Sequence, residues 1–166
     1  MKNKGFTLIE LIVVISIMGI LAIAIEASVS ASGLSKVKHC VTKTDNLIEK
    51  CRIGALSRSG NVRLVIRADG SGKIIADYYE SGSSPVSSDV LSESGISMTY
   101  TIENSDKTNQ ATHNVEDRPL TLSFNRSTGS QKPDENGYLY TAIVISNGST
   151  SREIKLVPLT GAHVLS

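Results

Sequence analysis

Between positions 6 and 25 the chain carries one ionisable side chain, Glu10; every other residue there is apolar, Gly, Ser or Thr. A carboxylate inside such a run costs about 2.5–3.5 kcal/mol to place in hydrocarbon, so a residue of this kind is functional by default. If the run packs among other apolar helices, an ionised Glu10 needs a cationic partner, because an unpaired buried charge is expensive. The remaining chemistry-bearing residues do not form a set. His39, His113 and His163 are scattered and read as surface histidines, and Asp45 reads as solvated helix surface. Asp134 and Glu135 lie in a Pro/Gly loop without the Asp-x-Asp-x-Asp spacing of a calcium loop, which leaves a loop cation site as the weaker reading. Asn125-Arg-Ser and Asn147-Gly-Ser match the glycosylation acceptor pattern, a three-residue motif that arises often by chance. No catalytic residue, cofactor or metal is expected.

Cys40 and Cys51 are the other reactive pair. On one continuous helix a separation of 11 residues corresponds to about 16 Å, whereas a disulfide needs Cα atoms within about 7 Å. Two buried thiols are the expectation; a bridge would require the helix to break between them.

These residues sit on three kinds of element. Residues 6–25 are long enough as a helix to span roughly 30 Å, the thickness of a bilayer core. Lys2 and Lys4 precede them, and basic residues stay on the cytoplasmic side. A secretory signal peptide would share the basic start, and 27–32 offers small residues for its cleavage, but it leaves Glu10 unexplained. Residues 26–59 contain no Pro and keep a helical period, with Leu34, Val37, Cys40, Val41, Leu47, Ile48, Cys51 and Ala55 on one face. Lys36, His39, Lys43, Asn46 and Lys50 take the other side, and Gly33 is a point where the helix could bend. From residue 60 the texture turns to short alternating runs. Strands are expected at 61–68 and 73–79 around Asp69-Gly70-Ser71-Gly72, then at 96–103, 120–125, 138–146, 152–158 and near Val164. The Ser-rich stretch 81–95 and the polar stretch 104–119 read as loops. The fold class is therefore α+β: a long N-terminal helix, transmembrane in its first half and amphipathic in its second, followed by a small antiparallel β-rich head. With aromatics at 4% and no Trp, the head's core must rest on Ile, Val and Leu. The charge is asymmetric. Residues 26–59 hold six Lys/Arg against three Asp/Glu, and residues 61–166 hold nine against twelve.

The run Gly5-Phe6-Thr7-Leu8-Ile9-Glu10 resembles the class III signal of type IV pilins and of the pseudopilins of type II secretion. The resemblance implies that a prepilin peptidase removes leader 1–5 by cutting between Gly5 and Phe6, and that Phe6 becomes the N-methylated first residue. It implies that Glu10 guides assembly by pairing with the Phe6 amine of a neighbouring subunit. Residues 6–25 would then be the transmembrane and filament-core helix, 26–59 its amphipathic continuation and 60–166 the head. Many major pilins have a Pro just beyond the apolar run; Glu26, Ala27 and Ser28 stand here instead. In the head, Leu120 to Phe124, Gly129, Ala142 to Ile145, Arg152 to Pro158 and Thr160-Gly161 resemble the GspH/FimT type of minor subunit. Some members of that type bind DNA through basic residues after the closing Gly, but residues 162–166 contain no Lys or Arg.

The function so implied is that of a structural minor pilin or pseudopilin of a bacterial type IV filament or type II secretion machine. It would be a single-pass protein of the inner membrane, N-terminus cytoplasmic and head outside, and then part of a filament. Its partners would be the peptidase, other pilin or pseudopilin subunits, the inner-membrane assembly platform and, before assembly, lipid. Nucleic acid is not an expected partner. The alternative is a filament-tip subunit that captures DNA or another extracellular ligand, which would need a basic face built from residues such as Arg63, Arg67, Arg126, Arg152 and Lys155. An anchored enzyme would need an acid/base cluster in the folded head.

Overall fold

The computed structural model describes residues 8–58, 60–104 and 109–166, with side chains at 21–32 outside that description. A single helix, α1 (Leu8–Ser57), is followed by nine strands. The chain divides into two compact units, Met1–Ser35 and Lys36–Ser166.

Over residues 8–20 of the first unit α1 exposes apolar side chains all round, with Glu10 as the one charge. Leu8, Ile9, Leu11, Ile12, Val13, Val14 and Ile15 are between 48% and 78% exposed. A helix with this pattern is stable only where something other than its own chain covers it. Ser16 satisfies its hydroxyl internally on the Ile12 carbonyl at 2.8 Å.

In the second unit α1 has one buried stripe: Val37, Cys40, Val41, Leu47, Ile48, Cys51 and Ala55. Leu34, expected on that stripe, is 44% exposed; it falls in the other unit, before the head begins. Thr44 joins the stripe, fully buried, because its hydroxyl donates to the Cys40 carbonyl at 2.8 Å and leaves no unsatisfied donor. The helical pattern runs through Gly33 without a break.

Two antiparallel sheets complete the head. The first has the order β3 (Ser87–Ser92), β2 (Ile74–Tyr79), β1 (Arg63–Ala68), β6 (Leu120–Ser123). The second has the order β5 (Gln110–Asn114), β4 (Ser97–Asn104), β7 (Tyr138–Ser146), β8 (Ser151–Val157), β9 (Ala162–Leu165). Alternation assigns the faces. Leu64 and Ile66, Ala76 and Tyr78, Leu120 and Leu122 point inward from the first sheet, and Met98, Tyr100, Ile143, Ile145 and Ile154 from the second. Together with the helical stripe they form one core cluster.

Two stretches expected as loops are strands in part. Within 81–95, β3 pairs with β2; only Leu91 of it is deeply buried, so its sequence lacks the alternation of a half-buried strand. It is an edge strand, and Lys43 of the helix reaches across to the Val90 carbonyl at 2.9 Å, covering one of its open acceptors. Within 104–119, β5 pairs with β4 as the edge of the other sheet, again with polar side chains.

Gly161, which precedes β9, has φ 66° and lies so close to the Gly129 carbonyl that any Cβ would overlap it. Gly70, in the β1–β2 hairpin, has φ 80° but open space around it. Both positions disfavour a side chain through the backbone, and only Gly161 adds a collision. In urea melts of the head, Gly70→Ala should therefore cost about 1 kcal/mol and Gly161→Ala about 2–4 kcal/mol. Equal costs would show that the Gly129–Gly161 approach does not constrain the fold.

Candidate functional site

Glu10 lies in the first turn of α1 and is exposed. Gly5 and Phe6, the expected processing residues, lie outside the described residues. Among the described residues no helix is long and apolar enough to cross a membrane. The expected span, 6–25, begins and ends beyond the residues whose side chains are described.

In the head the candidate residues separate. Cys40 and Cys51 are free and fully buried. Burial pushes the Cys40 thiol up to about 11 and the Cys51 thiol up to about 12. The Cys51 sulfur sits 3.8 Å from the Leu122 carbonyl oxygen of β6. Both are packing residues, as their spacing on one helical face anticipates.

The histidines do not behave alike. His39 is exposed, and His113 packs its ring 5.7 Å from that of Tyr100. His163 is not a surface residue: its side chain is 10% exposed, and Nε2 lies 2.9 Å from Asp45 Oδ1. This contact ties β9 to α1, so Asp45 is a tether and not solvated helix surface. Sequence reading missed the pair because 118 residues separate its partners; the signal would have been a His facing inward on a short terminal strand.

The arginines are likewise occupied. Arg63 and Arg67 share the outer face of β1. Arg67 donates to Asp77 at 2.8 Å, and Asp77, 3% exposed, also accepts from Ser88 at 2.5 Å. Arg63 stacks on Tyr79, 4.0 Å from the ring centroid, and donates to the Gly82 carbonyl at 3.0 Å. Arg152 and Lys155 are three residues apart on β8 and so point to opposite faces of the other sheet. The five cations do not form one face. Asn125 and Asn147 serve their turns: Asn125 donates to Ser130, and Asn147 accepts from the amides of Ser149 and Thr150.

A cleft of about 600 Å³ opens between the outer face of β1 and β6 and the loop before β7. Arg63 and Val65 come from β1, Thr121 and Ser123 from β6, and Asp134, Glu135 and Asn136 from the loop. Asp134 organises that loop. One oxygen accepts from the amides of Asn136 and Tyr138, both at 2.9 Å, and the other from Arg118 at 3.3 Å. Those oxygens are engaged by N–H donors, and among the described residues no group of three or more His, Cys, Asp or Glu could hold a metal ion. Tyr140 enters the cleft because the β4–β7 register shifts between Thr101 and Ile102. The shift leaves Thr141 unmatched and turns Tyr140 to the side of Ile143 and Ile145. Thr121 N lies 3.5 Å from its hydroxyl.

Over residues 8–20 α1 exposes apolar side chains, and from Lys36 onward it is half-buried within a β-rich head. Residues 1–25 match the family model of the prokaryotic N-terminal methylation motif. The match spans Gly5, Phe6 and Glu10 and supports a type IV pilin-like or pseudopilin subunit. The motif implies processing by prepilin peptidase, assembly with other pilin subunits and an inner-membrane-anchored precursor. No curated protein and no solved structure matches the chain.

The thiols give a pH dependence of defined sign. Their folded pKa values lie above the ordinary thiol value, so the folded state keeps protons that the unfolded state releases. Their contribution is complete below about pH 9 and is lost as pH rises through about 11 and 12. The urea midpoint of the head should fall over that window, and fall less in the Cys40→Ala/Cys51→Ala double variant. Native protein at pH 8 should resist iodoacetamide and take up two equivalents after denaturation. Recovery of a Cys40–Cys51 bridge from protein isolated without oxidant would contradict the packing assignment.

Proposed function

We propose that this chain is a structural minor pilin or pseudopilin of a type IV filament or type II secretion machine. The observation that carries the reading is the apolar start of α1, exposed on every side, inside a stretch that matches the methylation motif. Such a helix needs lipid before assembly and other helices after it. In this reading residues 1–5 are a cytoplasmic leader, 6–25 cross the inner membrane once, 26–59 continue the helix and 60–166 form the external head. Prepilin peptidase cuts between Gly5 and Phe6 and methylates Phe6. An assembly platform then moves the subunit from lipid into the filament, where the Phe6 amine of one subunit meets Glu10 of its neighbour. A charge pair at one axial offset fixes register where apolar contacts alone would slide. The GspH/FimT-like spacing of the head favours a minor subunit. The arrangement of the arginines gives no support to DNA capture.

Mass spectrometry of membrane-extracted protein should find an N-terminus at Phe6 bearing one methyl group. An intact leader, or cleavage near Ala31, in cells with active prepilin peptidase would refute the proposal. Glu10→Ala should leave that processing intact and lower incorporation into filaments about tenfold or more, the scale expected when a desolvated charge loses its partner. Equal incorporation at matched expression would remove Glu10 from the assembly mechanism.

A further inference from the structure

The cleft on the outer face of the four-stranded sheet has a lining that selects one class of ligand. Its volume, about 600 Å³, lies within the range of small-molecule sites. Its formal charges balance in number: Arg63 and Arg118 stand against Asp134 and Glu135 in the lining, and Arg118 is held by Asp134 at 3.3 Å. A polyanion gains little from a balanced site, because its binding rests on unmatched Lys and Arg. The lining is mixed, with Val65, Pro119, Pro133 and the ring of Tyr140 as its apolar members interrupted by charged and amide groups, and so lacks the continuous apolar wall that a lipid chain needs. Hydrogen bonding is what it offers. Asn61, Asn136 and Glu135 end in planar pairs of polar atoms, and Thr121 and Ser123 add hydroxyls. Planar two-atom ends fit adjacent hydroxyls of a sugar ring, as they fit other bidentate partners. The proline walls suit the ring's C–H face. Tyr140 supplies a fixed point: it is 3% exposed, its oxygen lies beside the Thr121 amide, and its own proton has no acceptor among the described residues. The bulge that aims it there is the kind of local irregularity that accompanies binding sites.

We infer that this cleft binds a neutral saccharide. The assignment goes beyond the filament reading and does not depend on it, since every residue used lies in the Lys36–Ser166 unit. The test uses the full chain in a detergent without a sugar headgroup. Maltotriose, cellotriose and triacetylchitotriose serve as neutral probes and a hyaluronan tetrasaccharide as the anionic one, all followed by isothermal titration and ligand-observed NMR. At least one neutral probe should bind saturably at about millimolar concentration or below. Asn136→Ala and Asn61→Ala should each weaken that binding about tenfold, while Lys155→Ala, on the other sheet, leaves it unchanged. Thr121→Val keeps the side-chain shape and removes only the hydroxyl, so its loss of binding decides the matter if an Asn variant fails to fold. Three results would overturn the assignment: no saturation by any neutral probe up to about 10 mM, tighter binding of the anionic probe than of every neutral one, or binding that ignores the cleft variants.

Discussion

The head depends on how closely one stripe of α1 can approach the inner face of the four-stranded sheet. With no Trp and two Phe in the whole chain, the large rings of the core are few: Tyr78, Tyr100, Phe124 and Tyr140. The helix presents small residues where the sheet is nearest. Gly54 lies under the Tyr78 hydroxyl so tightly that a Cβ would overlap it. Lys50 lies over the ring of the same tyrosine, 4.6 Å from its centroid. Cys51 meets the Leu122 carbonyl, and Ala55 completes the row. In this setting the two cysteines act as small apolar spacers with one weak donor each. Their chemistry is suppressed by the same burial that makes them useful, because a thiolate cannot form cheaply in that core.

Much of this was legible in the chain. The period of 3.6 placed the apolar helical core positions, included Leu34, which lies before the head begins, and missed Thr44, whose hydroxyl is hidden by a bond to its own helix, and Gly54, which has no side chain to betray its burial. The period of 2 located the strands that bury a side chain at every second position. It failed at β3 and β5 for one reason. Both are edge strands held by backbone pairing on a single side, and neither exports enough apolar surface to the core to leave an alternating trace. The cleft was illegible for another reason. Its residues come from three separated segments, and Tyr140 joins them through a register shift that strict alternation would place elsewhere. The Asp45–His163 contact had no local signature at all.

Net charge was a poor guide to recognition, and the reason is placement. The acidic excess of residues 61–166 would permit a basic face if the cations were gathered and the anions dispersed. The fold does the reverse. Asp77 sits directly opposite Val65 in the ladder and accepts Arg67 from the same face. Arg118 is directed to Asp134, and Lys73 to Glu93 at 2.7 Å. The Lys73–Glu93 pair is exposed and contributes little to stability, whereas Asp77 and Asp134 are largely buried carboxylates held by a partly exposed arginine; all three pairs remove unmatched charge from the surface, and unmatched charge is what a phosphate backbone reads.

The same alternation that builds the core also insulates it from the cleft. Along β1 the even positions, Leu64 and Ile66, are fully buried, while the odd positions, Arg63 and Val65, line the cleft. Along β6 the order repeats, with Leu120 and Leu122 inward and Thr121 and Ser123 outward. The register pairs Arg63 with Ser123 and Val65 with Thr121, so inward and outward sets face each other in matched rows. A substitution on the outer face of β1 or β6 therefore changes what the cleft presents without altering the volume that the helix packs against, and Tyr140 alone of the residues named here belongs to both lining and core. The N-terminal half of α1 lies in the other unit and carries none of these residues. Selection on packing through the helix and selection on recognition by the head can proceed on separate residues, joined only through the stripe that keeps the sheet in place.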